Sequence, residues 1–179
     1  MDPSELVARI ESASPPRGMV TRVVAIDGHG GAGKTTLAAR LADALGAPVV
    51  HTDDFASWDE PVNWWPRLLE QVLRPLSEAR PARYQRYDWD DERLAEWIDL
   101  PAADVVILEG VSASRREFAS YLALAIWVDT PRETCLARGL ARDGAHHREL
   151  WEGWMASEDE FFARDRPQER ANVLVRGDS

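Results

Sequence analysis

Eight consecutive residues, Gly28-His29-Gly30-Gly31-Ala32-Gly33-Lys34-Thr35, carry glycines, a lysine and a hydroxyl at the spacing G-x-x-x-x-G-K-[ST]. From average residue usage, a chance match in a chain of this length has a probability of order ~1%, so the stretch is read as a phosphate-binding loop if a strand precedes it and a helix follows. Glycines let the backbone curl until successive N–H groups converge on an anion, and the helix N-terminus adds partial positive charge. Lys34 is expected to bridge the β- and γ-phosphates of ATP. Thr35 is expected to offer its hydroxyl to Mg²⁺, which takes oxygen ligands and keeps several waters. Thr36 either adds to the loop or continues the helix.

Such a loop suits kinases, GTPases and motor ATPases alike, so other residues must choose the reaction. Asp53 and Asp54 follow a short apolar run, at the sheet edge where ligands of open α/β folds bind. An acceptor hydroxyl loses its proton during phosphoryl transfer, and a carboxylate within hydrogen-bond reach can take it or orient the group. The plain alternative is a helix cap or a turn facing solvent. Glu109 ends the run Val105-Val106-Ile107-Leu108 in the manner of a Walker B strand, suited to hold Mg²⁺ through water or to meet the substrate. Arg138 and Arg142, four apart, share one face of a helix and could clamp phosphates, or pair with Glu133 or Asp143 at the surface. His146 and His147 are adjacent, and nothing in the chain has the spacing of a zinc site.

Around these residues the apolar pattern predicts the elements. Residues 21–26, 48–51, 104–108, 122–128 and 171–175 are short, β-branched or apolar runs, as buried parallel strands require. Helices are expected over 34–45 with a glycine C-cap at Gly46, over 131–142, and over 148–162. Residues 63–80 carry Trp64, Trp65, Leu68, Leu69, Val72 and Leu73 at helical spacing, with Pro75 an interruption that predicts one kinked helix or two. Strands alternating with helices predict an α/β fold, a three-layer α/β/α sandwich with a five-stranded, mainly parallel sheet and right-handed crossovers. Residues 1–18 read as a helical N-terminal appendage, and residues 131–165 as a helical lid.

At 179 residues, with 45% hydrophobic and 29% charged residues, the chain is expected to form one domain over residues 1–179. A net charge of −10 disfavours nucleic acid, despite arginines gathered over 67–93 and 132–148. The acidic N-terminus and the lack of an apolar run of roughly 18 residues point away from export and membranes. A single cysteine, Cys135, suits a reducing compartment, so a cytoplasmic location is expected.

The segments IDGHGGAGKTT, HTDDF and VVILEG, a helix bearing Arg138 and Arg142-Asp143, and a closing ANVLVRG together resemble the uridine kinase-like family of P-loop nucleoside and small-molecule kinases. The resemblance runs from about residue 23 to residue 177. It implies the P-loop NTPase fold, ATP and Mg²⁺ as cofactors, and a small-molecule hydroxyl acceptor, and it leaves a homodimer open. It also implies roles: Asp53 faces the acceptor hydroxyl, Glu109 matches the acid of the family's E-G segment, and Arg138 and Arg142 match lid arginines. Tyr87-Asp88-Trp89 looks like the family's Tyr-Asp-Phe stretch, so Tyr87 and Trp89 line the acceptor pocket. The chain departs from the family's nucleoside binders at Ala56 and Glu92, where an aromatic residue and a histidine are usual, and at Arg138-Gly139, where the lid often has paired arginines. Trp58, Trp64, Trp65 and Trp89 all fall in the acceptor half, to stack on a ring or to pack the core.

The leading expectation is therefore a kinase moving the γ-phosphate of ATP to a hydroxyl of a uridine- or cytidine-like nucleoside or similar compound. The alternatives are a kinase for a vitamin, sugar or antibiotic, and a nucleotide-dependent regulatory ATPase. No guanine-reading N-K-x-D segment is present, which argues against a GTPase.

Overall fold

The computed structural model describes residues 3–57 and 63–177; Met1, Asp2 and Trp58 lie outside the described residues. In chain order the elements are α1 (Pro3–Ser12), β1 (Arg22–Asp27), α2 (Lys34–Leu45), β2 (Val49–His51), α3 (Trp65–Leu68), α4 (Arg74–Ser77), β3 (Ala82–Asp88), β4 (Arg93–Leu100), β5 (Val105–Glu109), β6 (Leu122–Asp129), α5 (Arg132–Asp143), α6 (Arg148–Asp165), α7 (Pro167–Arg170) and β7 (Val173–Arg176). Five of the strands form one parallel sheet in the order β2-β5-β1-β6-β7.

Both faces of this sheet are covered, which is why its strands read as unbroken apolar runs instead of alternating ones. Val23, Ala25, Val106 and Leu108 pack toward one layer, built from Phe55, Trp64, Leu68, Leu73 and Leu76, the β3-β4 pair and Phe118. Val24, Ile26, Val105 and Ile107 pack toward the other, built from α1, α2, α5 and α6. The parallel register sets Ile26 beside Glu109 and Glu109 beside His51. One carboxyl edge of the sheet thus gathers Asp27, His51 and Glu109, and the turn after β2 adds Asp53.

Helix α2 ends as its sequence dictates: Gly46 is left-handed, with φ 60°, and its N–H reaches the carbonyl of Ala42. The segment expected to be kinked consists of α3 and α4 joined by a π-helical turn over Leu69–Leu73. Pro75 has no N–H to donate and its ring crowds the carbonyl of Gln71; the wider π turn before it accommodates both.

Two features differ from the sequence reading. Helix α1 is seated in the core: Leu6 and Ile10, four apart on one face, are 1% and 0% exposed. Burying two such side chains contributes about 3–6 kcal/mol, so the helix is part of the folded unit. The second feature is the antiparallel pair β3 and β4, which forms its own two-stranded sheet. Its strands mix arginines and acids with aromatic residues and lack the long apolar run that marked the others. No helix among the described residues is long and apolar enough to cross a membrane.

Candidate active site

The phosphate loop starts from a buried anchor. Asp27 closes β1 with no exposed surface, and its carboxylate accepts the N–H of Gly28 (2.8 Å), the N–H of Ser112 (2.9 Å), and both the N–H and the hydroxyl of Ser114 (2.9 and 2.8 Å). Burial raises its carboxyl above the ordinary value, and the donors of Ser114 and Gly28, with the charge of Lys34, oppose that rise. One side chain therefore ties the start of the loop after β1 to the loop after β5. Further along, Gly31 has φ +79°, and a Cβ there would lie 2.4 Å from the carbonyl oxygen of Cys135, so only glycine fits between this loop and α5. The buried hydroxyl of Thr130 donates to the carbonyl of Ala32 at 2.9 Å. Lys34, 6% exposed, donates from Nζ to the carbonyl of His29 at 2.8 Å.

The acids divide into two kinds. Glu109 is buried; its Oε1 accepts the hydroxyl of Thr35 at 3.2 Å and its Oε2 lies 2.7 Å from Nδ1 of His51. That hydrogen bond raises the imidazole above its ordinary value, against the effect of burial. Thr35 and Glu109 thus offer two hard oxygen donors side by side, a fit for Mg²⁺ held also by phosphate and water. Among the described residues no cluster of three or more acidic, histidine or cysteine side chains forms a complete metal cage.

Asp54 and Asp53 part company after β2. The carboxylate of Asp54 accepts the hydroxyl of Tyr84 at 3.1 Å, and its carbonyl accepts Arg67 at 2.9 Å, so this acid serves the packing of β3. Burial raises both Asp54 and Tyr84 above their ordinary values. Asp53 instead turns an exposed side into a cleft that it lines with Gly30, Lys34 and Glu109. The protein crowded around it raises its carboxyl above the usual carboxylate range, with Lys34 pulling the other way. Its carbonyl accepts the indole N–H of Trp89 at 3.0 Å.

The lid arginines take two different places. Arg142 lines the cleft, where it holds Asp143 through Nε (2.7 Å) and Nη2 (2.9 Å) and stands 5.5 Å from the centre of the Trp151 ring. Arg138 is not part of the cleft lining and donates to the carbonyl of Gly177 at 2.7 Å, beside Gly33. The departure at Gly139 has a steric reason: a Cβ there would lie 2.5 Å from the indole of Trp151, which lies flat against this part of α5. Thr36 sits on the exposed side of α2.

Two cavities meet at Asp53. The larger, about 320 Å³, runs from Gly30, Gly31, Lys34 and Thr35 past Glu109 to Trp89, Trp151 and Trp154. The smaller, about 30 Å³, is walled by Trp64, Val111, Trp154 and Phe161. Trp89 therefore faces the site, with Tyr87 edge-on behind it at 5.4 Å and Trp154 across from it at 6.0 Å. Trp64 is both core and cavity wall, and Trp65 packs against the core.

Several participants escaped the sequence reading. The foremost is Glu158 of α6, 3% exposed, whose carboxylate accepts the N–H of Gly30 at 3.1 Å and lies 3.3 Å from Nδ1 of His29. It was legible as an acid on the stripe Trp151, Met155, Phe162, where helical spacing demands apolar residues. Asp27, His51, Thr130, Trp154 and Phe161 had no comparable signal, since each acts through contacts with residues distant in sequence.

Sheet order, loop and lid together define a P-loop kinase fold. The chain belongs to the phosphoribulokinase / uridine kinase family, whose model matches residues 54–165, more than half of its length. Among solved structures, it is similar to a possible uridine kinase from Bacillus stearothermophilus, with a TM-score of 0.68 and 21% identity over 97% of this chain and 96% of that one. A candidate fructose transport system kinase from Silicibacter sp. TM1040 gives a TM-score of 0.67 and 23% identity over 97% and 98% of the two chains. A D-glycerate 3-kinase from Cryptococcus neoformans var. grubii gives 0.54 and 15% over 98% and 93%. At these identities the likeness is one of fold. No curated protein matches the chain.

Proposed function

We propose that this protein transfers the γ-phosphoryl group of ATP to a hydroxyl of a small molecule, with Asp53 as the base. The observation that carries the reading is that Asp53 lines the same cleft as Lys34 and the phosphate loop, at the point where that cleft meets an aromatic-walled cavity. A switch ATPase has no use for such a cavity.

In this reading the N–H groups of residues 31–35 hold the phosphate chain, and Lys34 exchanges the carbonyl of His29 for phosphate oxygens. Thr35 and Glu109 would hold Mg²⁺, which when bound would neutralise phosphate charge. Asp53 takes the hydroxyl proton as the acceptor oxygen bonds to the γ-phosphorus, the bond from that phosphorus to the bridging oxygen breaks, and ADP leaves with the electron pair. Arg142 moves from Asp143 onto the transferring group, and Arg138, beside Gly33 and Gly177, serves the nucleotide side. Trp89 and Trp154 flank the acceptor and keep water from the phosphorus.

Nucleosides, the acceptor class of the family's uridine kinases, sugars and hydroxylated vitamins form the test panel. The expected result is mass-spectrometric detection of a phosphate ester of one acceptor, formed in step with ADP. Formation of ADP and free phosphate only, whatever is added, is the result that contradicts the proposal.

A further inference from the structure

Asp53 and Glu158 are the two carboxylates that line both cavities. Asp53 is occupied by the proton-transfer role, whereas nothing in that role needs Glu158. Glu158 sits on the buried face of α6, with both oxygens toward the N–H of Gly30 and with His29 alongside. Each carboxylate oxygen has two lone pairs, so these contacts leave acceptor capacity on a side chain that also lines the smaller cavity.

The lining of that cavity is one-sided in charge. Its polar members are Thr52, Asp53, Ser112, Ser157 and Glu158; its rings are Trp64, Trp154 and Phe161; among the described residues no lysine, arginine or histidine lines it. The basic groups around it are already engaged: the His29 ring lies 3.3 Å from Glu158 on the loop side, and Lys34, in the larger cleft, donates to the carbonyl of His29. Arg115 lies behind the walls, 5.3 Å from the centre of Phe161 and 5.9 Å from that of Trp64, and is paired with Glu117 at 3.0 Å. Arg142 is held by Asp143. A phosphate chain in the loop adds negative charge near Glu158, which favours a cation beside that carboxylate. Carboxylates and aromatic faces together bind ammonium groups. The cavity, about 30 Å³, has room for a group the size of a protonated amine.

We propose that the acceptor is an alcohol that also carries a protonated amine, held by Glu158 and the rings of Trp64, Trp154 and Phe161 while its hydroxyl meets Asp53. The proposal rests on the kinase reading and narrows its substrate class to amino alcohols, amino sugars and their larger derivatives.

The test uses the full chain and its Glu158→Gln variant, whose amide oxygen can still accept the N–H of Gly30. ADP release is measured with acceptor pairs that differ by one amine, 2-aminoethanol against 1,2-ethanediol and glucosamine against glucose. Independently of turnover, methylammonium is titrated while the indole N–H signals of Trp64 and Trp154 are followed by NMR. The expected result is a kcat/KM at least about tenfold higher for the amine member, a ratio near one in Glu158→Gln, and methylammonium shifts present in the wild type and lost in the variant. Equal use of the neutral partner, or a ratio that survives in Glu158→Gln while only ATP affinity changes, overturns the proposal; the latter makes Glu158 a displaceable plug of the phosphate loop. Turnover of neutral alcohols leaves the kinase reading intact. If no compound is turned over, that reading fails, and the methylammonium titration decides the amine site by itself.

Discussion

The donor and acceptor halves of the cleft are built in opposite ways. The donor half is backbone: one contiguous loop offers its own N–H groups, and Gly31 is fixed by the carbonyl of Cys135 behind it. The acceptor half is side chain: Asp53, Trp64, Trp89, Trp154, Glu158 and Phe161 arrive from the turn after β2, the start of α3, the β3-β4 pair and the lid helix. A backbone site has few ways to vary while keeping its shape, and a side-chain site can be retuned one residue at a time. In the proposed reaction, phosphate chemistry is therefore fixed by the fold, and the choice of acceptor by a handful of rings and acids.

The sharpest way to break this division is at Lys34. Lys34→Ala is expected to lower kcat by about 10³-fold, because it removes the one side-chain cation of the loop that faces the transferring charge. Activity within a few fold of wild type in a steady-state assay would remove Lys34 from the mechanism. Next comes Asp53→Asn, expected to lower kcat by roughly 10²–10⁴-fold with Mg-ATP affinity retained, because a base is lost and a phosphate ligand is not.

The pH profile sharpens the same point. The crowding around Asp53 raises its carboxyl, so it holds its proton to higher pH than an ordinary aspartate. A base works only when deprotonated, so kcat/KM, which reports the free enzyme, is expected to fall on the acid side as pH drops through this raised value, above the usual carboxylate range of about 4. A rate that stays flat down to that range contradicts the assignment.

Smaller effects test how the lid and the N-terminal helix are held. Gly139→Ala drives a methyl into the indole of Trp151, and overpacking of this kind costs about 1–3 kcal/mol. A lowered Tm and a weakened acceptor KM are expected together, since Trp151 lines the cleft. Ile10→Ala, on the buried face of α1, is expected to lower stability by about 2–5 kcal/mol in chemical denaturation and to leave the acceptor preference unchanged.

The donor half was readable in the sequence because its determinants are contiguous: Gly28 to Thr35 is a local pattern, and strand, turn and helix follow from β-branched, glycine and alanine-rich runs. Helix α2 and its Gly46 cap match the reading residue by residue. The acceptor half was readable only where a single residue carried the signal, as with Asp53 and Trp89. The family resemblance singled out Asp53 over Asp54; that Asp54 is claimed by the hydroxyl of Tyr84, 30 positions away, is visible only in the fold. Glu158 needed the fold to bring it 128 positions back to Gly30. The β3-β4 pair was missed because its charged residues, Arg83, Arg86, Glu96 and Asp99 among them, pair across the strands and mask the apolar alternation.

The most direct test of the central claim is the rate of ADP release from Mg-ATP with and without each acceptor, in wild type and in Asp53→Asn. Acceptor-dependent turnover in the wild type, reduced to the acceptor-free rate in the variant while ATP binding persists, is the result expected of a kinase whose base is Asp53. ADP release that ignores every acceptor, or that survives Asp53→Asn unchanged, contradicts it.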